Sequence, residues 1–311
     1  MKRPFYNAIH SLFLDPRHII FALLRRMPYL IQDDVKYLKV MYWLNFGVKL
    51  NLEHPKKFSE KIQWLKLYNR NPLYTSLVDK YAVKEYVSQK IGKEYVIPVI
   101  DVWDNPGQIE WRKLPNQFVL KTNHDGGGHG IVLCKDKSKL PIPQAMHELN
   151  HSFNRSSYMI GREWPYKNVR KKIFAEQYVT DSNGELRDYK FFCFNGKVKC
   201  FKIDFNRQTY HQANYYDTQC HLLPYGEAAY PYNPDAEILI PKNIKEMISL
   251  AEKIAKDIPF VRIDFYNVDG RIYFGEFTFF PAGGMSKWVG EVDVDALWGE
   301  WLELPRRIIN E

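Results

Sequence analysis

Two short stretches carry residue types whose spacing suits phosphate chemistry. In Phe118-Val-Leu-Lys-Thr-Asn-His-Asp-Gly-Gly-Gly-His-Gly-Ile-Val-Leu-Cys134, the glycines Gly126, Gly127 and Gly128 join two apolar segments, and Lys121 closes the first. Glycine lets main-chain amides approach a ligand closely, and a concave run of amides holds phosphate oxygens. The loop is therefore suited to cover a triphosphate, with Lys121 as counter-charge. It is not a Walker loop, because the lysine precedes the glycines, no Gly-Lys-Ser/Thr follows and no helix begins there. Taken alone, it also reads as a plain hairpin turn. His124 and His129 lack a third ligand at metal-site spacing and read as loop residues near the phosphates.

The second stretch is Val261-Arg-Ile-Asp-Phe-Tyr-Asn-Val-Asp-Gly-Arg-Ile-Tyr-Phe-Gly-Glu-Phe-Thr278. Strand alternation puts Arg262 and Asp264 on one face, with Glu276 and Thr278 together on a face of the return strand. Asp264 and Glu276 converge if the connection has odd length, for example Val268-Asp269-Gly270; a two-residue Asp269-Gly270 turn sets them on opposite faces. Convergent carboxylates beside a triphosphate suit Mg²⁺, which takes one or two protein oxygens plus phosphate oxygens and water. An acidic pair on a solvent face has the same signature. A third group lies around the hairpin signal Asn195-Gly196. A two-residue loop there predicts pairing of Phe194 with Lys197, Lys190 with Phe201 and Asp188 with Ile203, leaving Asp188, Lys190 and Arg207 on one face. Such cations can neutralise charge during phosphoryl transfer; an ordinary solvated strand face is the alternative.

These segments need elements to hold them. Periodicity predicts helices over 57–92, with Asp79 capping a helix that carries Ala82, Val83, Tyr86 and Val87 and Gly92 stopping it. From Phe118 the period becomes two, predicting strands over 118–122, 131–135, 173–179, 186–194, 198–205, 261–266 and 271–278. The stretch 208–235 holds six tyrosines (Tyr210, Tyr215, Tyr216, Tyr225, Tyr230 and Tyr232) with prolines and no clear period. It reads as a long loop whose rings either stack on sugars or pack on one another. Asn243 and Glu246 form a capping box for a helix that Pro259 ends. Helices followed by hairpins make an α+β protein with antiparallel sheets.

The 311 residues are 45% hydrophobic and 15% aromatic, enough for a sizeable core and against a disordered chain. A net charge of +8 favours an anionic partner without choosing one. Cys134, Cys193, Cys200 and Cys220 show no metal or disulfide spacing, so they predict reduced core thiols in a cytoplasmic protein. The apolar run 19–24 is broken by Arg25 and Arg26, too short for a signal peptide or a membrane span. Residues 5–48 mix Phe, Leu, Ile, Trp and Arg, and read either as a helical cap on the core or as a peripheral contact with the inner face of an anionic membrane.

In order and approximate spacing, the three groups resemble the ATP-grasp superfamily, over about residues 58–304. Within it, Lys57-Phe-Ser-Glu-Lys-Ile-Gln-Trp-Leu-Lys66, Asp79-Lys-Tyr-Ala-Val83 and Leu114-Pro-Asn-Gln-Phe-Val-Leu-Lys-Thr-Asn-His124 look like the teichuronopeptide-biosynthesis (TupA-like) branch, found among bacterial capsule and wall polysaccharide genes. The resemblance implies an ATP-grasp fold in which two antiparallel-sheet subdomains grip ATP. Its division is an N-terminal helical region 1–56, a helical pre-grasp region 57–116, a glycine-flap lid 117–180 and a C-terminal subdomain 181–311 with the Mg²⁺-binding hairpin.

By the same resemblance, Lys80 and Lys121 grip the nucleotide phosphates, with Thr122 and His124 beside them and Gly126, Gly127 and Gly128 as the flap. Glu176, Gln177, Tyr178 and Val179 form the hinge at the adenine edge. Asp188, Lys190 and Arg207 resemble the D-x-R and following arginine of ribosomal-protein glutamate ligases, and Arg262 joins Lys190 and Arg207 as a catalytic cation. Asp264 and Glu276 match the two magnesium carboxylates. Thr278 departs from the usual asparagine, offering one oxygen on a shorter side chain. The implied activity is ligation through an acyl phosphate, joining an amino acid to an acidic, uronic-acid polysaccharide or its lipid-linked precursor. A kinase or glycosyltransferase-type enzyme of the same glycan, or a non-catalytic nucleotide binder, is the rival. Nucleic acid is not an expected partner, because Asp264 and Glu276 would repel its phosphates.

Overall fold

The computed structural model describes residues 16–126, 128–182, 186–207 and 209–307. Its helices are α1 (Pro16–Arg26), α2 (Asp34–Phe46), α3 (Phe58–Tyr68), α4 (Leu73–Val78), α5 (Val83–Ile91), α6 (Ile142–Asn154), α7 (Ser157–Gly161), α8 (Ile244–Ile254) and α9 (Val294–Trp301). Its strands are β1 (Val99–Trp103), β2 (Phe118–Thr122), β3 (Ile131–Cys134), β4 (Ile173–Gln177), β5 (Arg187–Phe194), β6 (Lys197–Phe205), β7 (Gln212–Asp217), β8 (Tyr225–Glu227), β9 (Phe260–Val268), β10 (Arg271–Thr278) and β11 (Trp288–Gly290). They form two main antiparallel sheets, β1-β4-β2-β3 and β10-β9-β5-β6-β7, and a small β11-β8 ribbon.

Local chemistry starts and stops α5 as the sequence predicts, but not α8. Asp79 Oδ1 accepts from the amides of Tyr81 and Ala82 ahead of α5, at 2.9 and 3.0 Å, and Gly92 ends that helix at φ 126°. Asn243 does not cap α8: its side chain is drawn to the Gly270 carbonyl and the Asn267 amide, and the helix stops at Ile254, well before Pro259. The lid sheet has its own small core, in which α6 packs Ala145 and Leu149 near Phe118, Leu120 and Ile173. It draws β1 from the stretch before 117, pairing it with β4.

The larger sheet carries the main core on one face. Phe191, Phe201, Ile203, Ile263 and Phe265 are almost inaccessible and alternate with charged residues on the other face. At about 1.5–3 kcal/mol per buried side chain, they hold the register, since a one-residue slip would bury the charges instead. Two bulges alter the predicted pairings. The Asn195-Gly196 turn does pair Phe194 with Lys197, but the ladder then skips a residue, so Lys190 opposes Lys202 and Phe191 opposes Phe201. The Asp269-Gly270 turn has two residues, pairing Val268 with Arg271, and a second shift past Gly275 sets Glu276 opposite Asp264.

The tyrosine-rich stretch is not one long loop. It contributes β7 and β8, with Tyr215, Tyr216 and Tyr225 buried and Tyr210 exposed; Gln208 lies outside the described residues. Burial on both faces of β7 erases the alternation that marks a strand. At the N-terminal end α2 buries Tyr37, Leu38, Met41, Tyr42 and Leu44, in keeping with a helical cap, while α1 buries none and exposes Ile19, Ile20 and Leu23. Residues 5–15 of the expected membrane-contact stretch lie outside the described residues. Among the described residues, no helix is long and apolar enough to cross a membrane. All four cysteines are free thiols.

Candidate active site

The pairings place one rung of side chains across the larger sheet. Glu276, Asp264, Lys190, Lys202 and Tyr215 are successive partners on β10, β9, β5, β6 and β7. Directly opposed residues share a face, so two carboxylates and two ammoniums project together into the cleft beneath the lid sheet. Lys80, Lys121, Gly128, Glu176, Asp188, Lys190, Arg207, Arg262, Asp264 and Glu276 line a single cavity of about 420 Å³ there. Gln177, Tyr178 and Val179 line its outward continuation, with Leu186, Ile203 and Tyr266 as apolar walls. Gly126 and Thr278 line an inward extension of about 510 Å³.

The charges in the cleft are tightly paired. Arg262 grips Asp264 with two bonds, Nε–Oδ1 at 2.6 Å and Nη2–Oδ2 at 2.7 Å, and reaches Glu276 Oε1 at 3.0 Å. Lys80 Nζ joins the two halves, 2.8 Å from the Asp125 carbonyl in the lid and 3.1 Å from Glu276 Oε2. Burial pushes the Asp264 carboxyl up against the pull of Arg262 and Lys190. Burial works the same way on Glu276, but Lys80 and Arg262 outweigh it and hold the group down at about 2. Lys190 lies against Asp188 and is 2.7 Å from Asp204. Burial alone would lower its pKa; Asp264, Asp188 and Asp204 together raise it. Arg207 pairs with Asp188 and with Asp204, at 3.2 Å in the second case.

In the lid, Glu176 is nearly inaccessible between Lys121 and Lys84, the latter at 2.9 Å, and these ammoniums overcome burial to keep it ionised. Two predicted residues point elsewhere. The Thr122 hydroxyl is buried against Ser152 Oγ at 2.9 Å, and His124 is buried edge-on to Phe153, so neither side chain lines the cleft. Both follow Lys121 where the chain turns into the lid core, and Thr122 lies on the strand face opposite Lys121. Gly127 lies outside the described residues. The flap is anchored by Asp125, whose carboxylate accepts from Ser152 at 2.8 Å, Ser157 at 3.1 Å and the Gly126 amide at 2.9 Å.

Sequence reasoning missed Lys84, Asp125, Lys202, Asp204, Glu227 and His211, all of which line the central or inner cavity, whereas Tyr230, one of the tyrosines expected to stack on sugars or on one another, lines both. For Lys202 and Asp204 the available signal was alternation along β6, where Lys202, Asp204 and Cys200 share a face; the unforeseen bulge concealed which face of β5 it continued.

The donor set suits a hard cation. Asp264, Glu276 and the Thr278 hydroxyl, 3.3 Å from Glu276 Oε1, offer only oxygens, and the Arg262 guanidinium and Lys80 ammonium already mark the spot as one that holds positive charge. Among the described residues no group of three or more His, Cys, Asp or Glu side chains is arranged to hold a metal unaided. A magnesium ion held by two carboxylates takes its remaining ligands from phosphate and water.

A profile of the TupA-like ATP-grasp proteins matches residues 60–303. The chain belongs to the TupA-like ATP-grasp family. The TupA-like ATP-grasp fold accounts for the two antiparallel sheets facing one another across the cleft. Similar solved structures include an ATP complex of D-alanine–D-alanine ligase from Bacillus anthracis, 14% identical over 70% of this chain and 55% of that one, with a TM-score of 0.38. D-alanyl-alanine synthetase A from Vibrio cholerae is 13% identical over 73% and 59%, with a TM-score of 0.42. An ADP complex of N5-carboxyaminoimidazole ribonucleotide synthetase is 14% identical over 79% and 56%, with a TM-score of 0.44. The chain thus spans between half and three fifths of the length of these proteins, and likeness at this level says nothing of activity. Among curated proteins, none matches.

Proposed function

We propose that this TupA-like protein is an ATP-dependent carboxylate–amine ligase that works through an acyl phosphate. The observation that carries the proposal is the rung Glu276–Asp264–Lys190, which lines one cavity with Lys80 and Lys121 and continues to Lys202 in the adjoining one. Lys80, Lys121 and the Gly128 amide hold the phosphates under the flap, whose Gly126 amide is fixed by Asp125; Glu176 to Val179 take the adenine end. Asp264, Glu276 and Thr278 would hold Mg²⁺, which would supply charge neutralisation to the phosphates. Lys190, Arg207 and Arg262 are already fixed by their carboxylate partners, so they offset charge on the transferring group without reorganising.

A carboxylate oxygen of the substrate attacks the γ-phosphorus, and the bond from that phosphorus to ADP breaks. The amine nitrogen then attacks the acyl carbon, and the carbon–oxygen bond to phosphate breaks. Positioning carries much of the rate in such a reaction.

The substrate we propose is an amino acid joined to a uronic-acid polysaccharide or its lipid-linked precursor. The inner cavity suits an anionic sugar, since Arg25, Arg155 and Lys202 line it beside the rings of Tyr37, Tyr166 and Tyr230. The test is ADP release with MgATP, screened over uronate oligosaccharides and amino acids. The proposal expects release only when carboxylate and amine are both present, with an amide as product. ADP release with the glycan alone, leaving phosphate on the product, would make the protein a kinase.

A further inference from the structure

His211 stands at the seam of the central and inner cavities, lining both. Its Nε2 lies 3.0 Å from Oδ1 of Asp204, and its ring stacks at a tilt on Tyr230 with centroids 4.4 Å apart. Asp204 is itself fixed, with its side chain 3% exposed and its oxygens shared among Lys190, Lys202 and Arg207. The His211 side chain keeps 32% of its surface exposed. With Nε2–H donating to Asp204, Nδ1 carries the free lone pair. Among the described residues, His211 is the imidazole lining the cleft that a carboxylate orients. The carboxylates Glu227 and Glu176 are committed, Glu227 accepting from Lys202 at 3.0 Å and from Tyr215 and Glu176 lying between two lysines, and the exposed ring of His129 has no carboxylate among those residues to orient it.

We propose that His211 is the general base that deprotonates the incoming amine, with Asp204 as its positioning residue. This rests on the ligase reading above. The ammonium form of the amino acid gives a proton to Nδ1, and the nitrogen lone pair so freed forms the bond to the acyl carbon. The carbon–oxygen bond to phosphate then breaks, phosphate carries that electron pair away, and the nitrogen's second proton leaves with the phosphate. The groups lining the same space are Asp204 and Lys202 from β6, Arg207 after it, Lys190 from β5, and Glu227 and Tyr230 at and after β8.

The test compares two nucleophiles, glycine and hydroxylamine, with MgATP and a glucuronic-acid oligosaccharide. Glycine is mostly protonated near neutral pH and needs a base; hydroxylamine is not and does not. In His211→Gln, and in His211→Asn as a second variant, amide formation with glycine should fall about 10²–10⁴-fold. Hydroxamate formation should stay within about twofold, since positioning of phosphate and acyl group is untouched. The residual glycine rate should rise with pH where the wild-type rate has levelled off. Equal losses with both nucleophiles, or no loss with either, would overturn the assignment. Wild-type protein that forms neither product would instead sink the ligase reading, and the base with it.

Discussion

Asp264 and Glu276 stand directly opposite one another on β9 and β10 although the turn between the strands, Asp269-Gly270, has two residues. Uninterrupted pairing from that turn would put Asp264 against Gly275 and send Glu276 to the other face. The ladder passes over Gly275, and this one-residue shift brings both carboxylates to the cleft.

The bulge therefore sets the proposed magnesium pair. A Cβ at position 275 would sit 3.0 Å from the Asp264 carbonyl oxygen and 3.4 Å from the Tyr266 ring, so even alanine must displace the strand that carries Asp264. Gly275→Ala is expected to cost about 1–2 kcal/mol of stability and to weaken Mg²⁺-dependent ATP binding about tenfold. Chemical denaturation and calorimetric titration measure the two effects. Unchanged affinity would show that the bulge does not govern the pair.

Stability should fall on the acid side because of His124. Burial brings its pKa down to about 4, against about 6.5 for an unfolded histidine. The unfolded chain thus binds a proton that the folded one refuses, and stability is lost as pH falls from about 6.5 to about 4. Between pH 7 and pH 5 this amounts to roughly 2 kcal/mol. In His124→Leu that component should vanish, flattening the acid limb of denaturation free energy against pH. An acid limb of wild-type steepness would show that His124 is not its source.

Lys66 tests how the inner cavity is built. Its ammonium is buried, donates to the carbonyls of Gly161 at 2.9 Å and Gly283 at 2.7 Å, and feels the charge of the half-buried Glu163. Burial lowers its pKa to about 8, with Glu163 opposing. Lys66→Met should destabilise the protein by about 1–3 kcal/mol, because the Gly161 and Gly283 carbonyls lose their donor and Glu163 a neighbouring cation. The double variant Lys66→Met/Glu163→Gln should recover part of the loss. Equal denaturation midpoints for the single variant and the wild type would refute the pairing.

Alternation and caps were legible wherever one rule dominated. Phe118–Thr122 and Arg271–Thr278 form strands with their predicted limits, and Asp79 and Gly92 bracket α5. What escaped was tertiary. Skipped residues in two hairpins changed which side chains oppose each other, so Lys190 meets Lys202 instead of Phe201. β7 is buried on both faces and its tyrosines read as a loop. Lys121 and Asp264 were visible as candidate site residues, but Asp204, which ties Lys190, Lys202, Arg207 and His211 together, had no motif to mark it. Parity alone could have found it, and only with the bulge known.

The most direct test of the account is equilibrium binding of ATP to wild-type protein and to Glu276→Gln, each with and without Mg²⁺. If Lys121, the flap and the paired carboxylates surround one nucleotide, Mg²⁺ should tighten ATP binding to the wild type about tenfold or more and have little effect on the variant, whose metal-free affinity is retained. An equal magnesium effect in both proteins, or no ATP binding to the wild type, would contradict it.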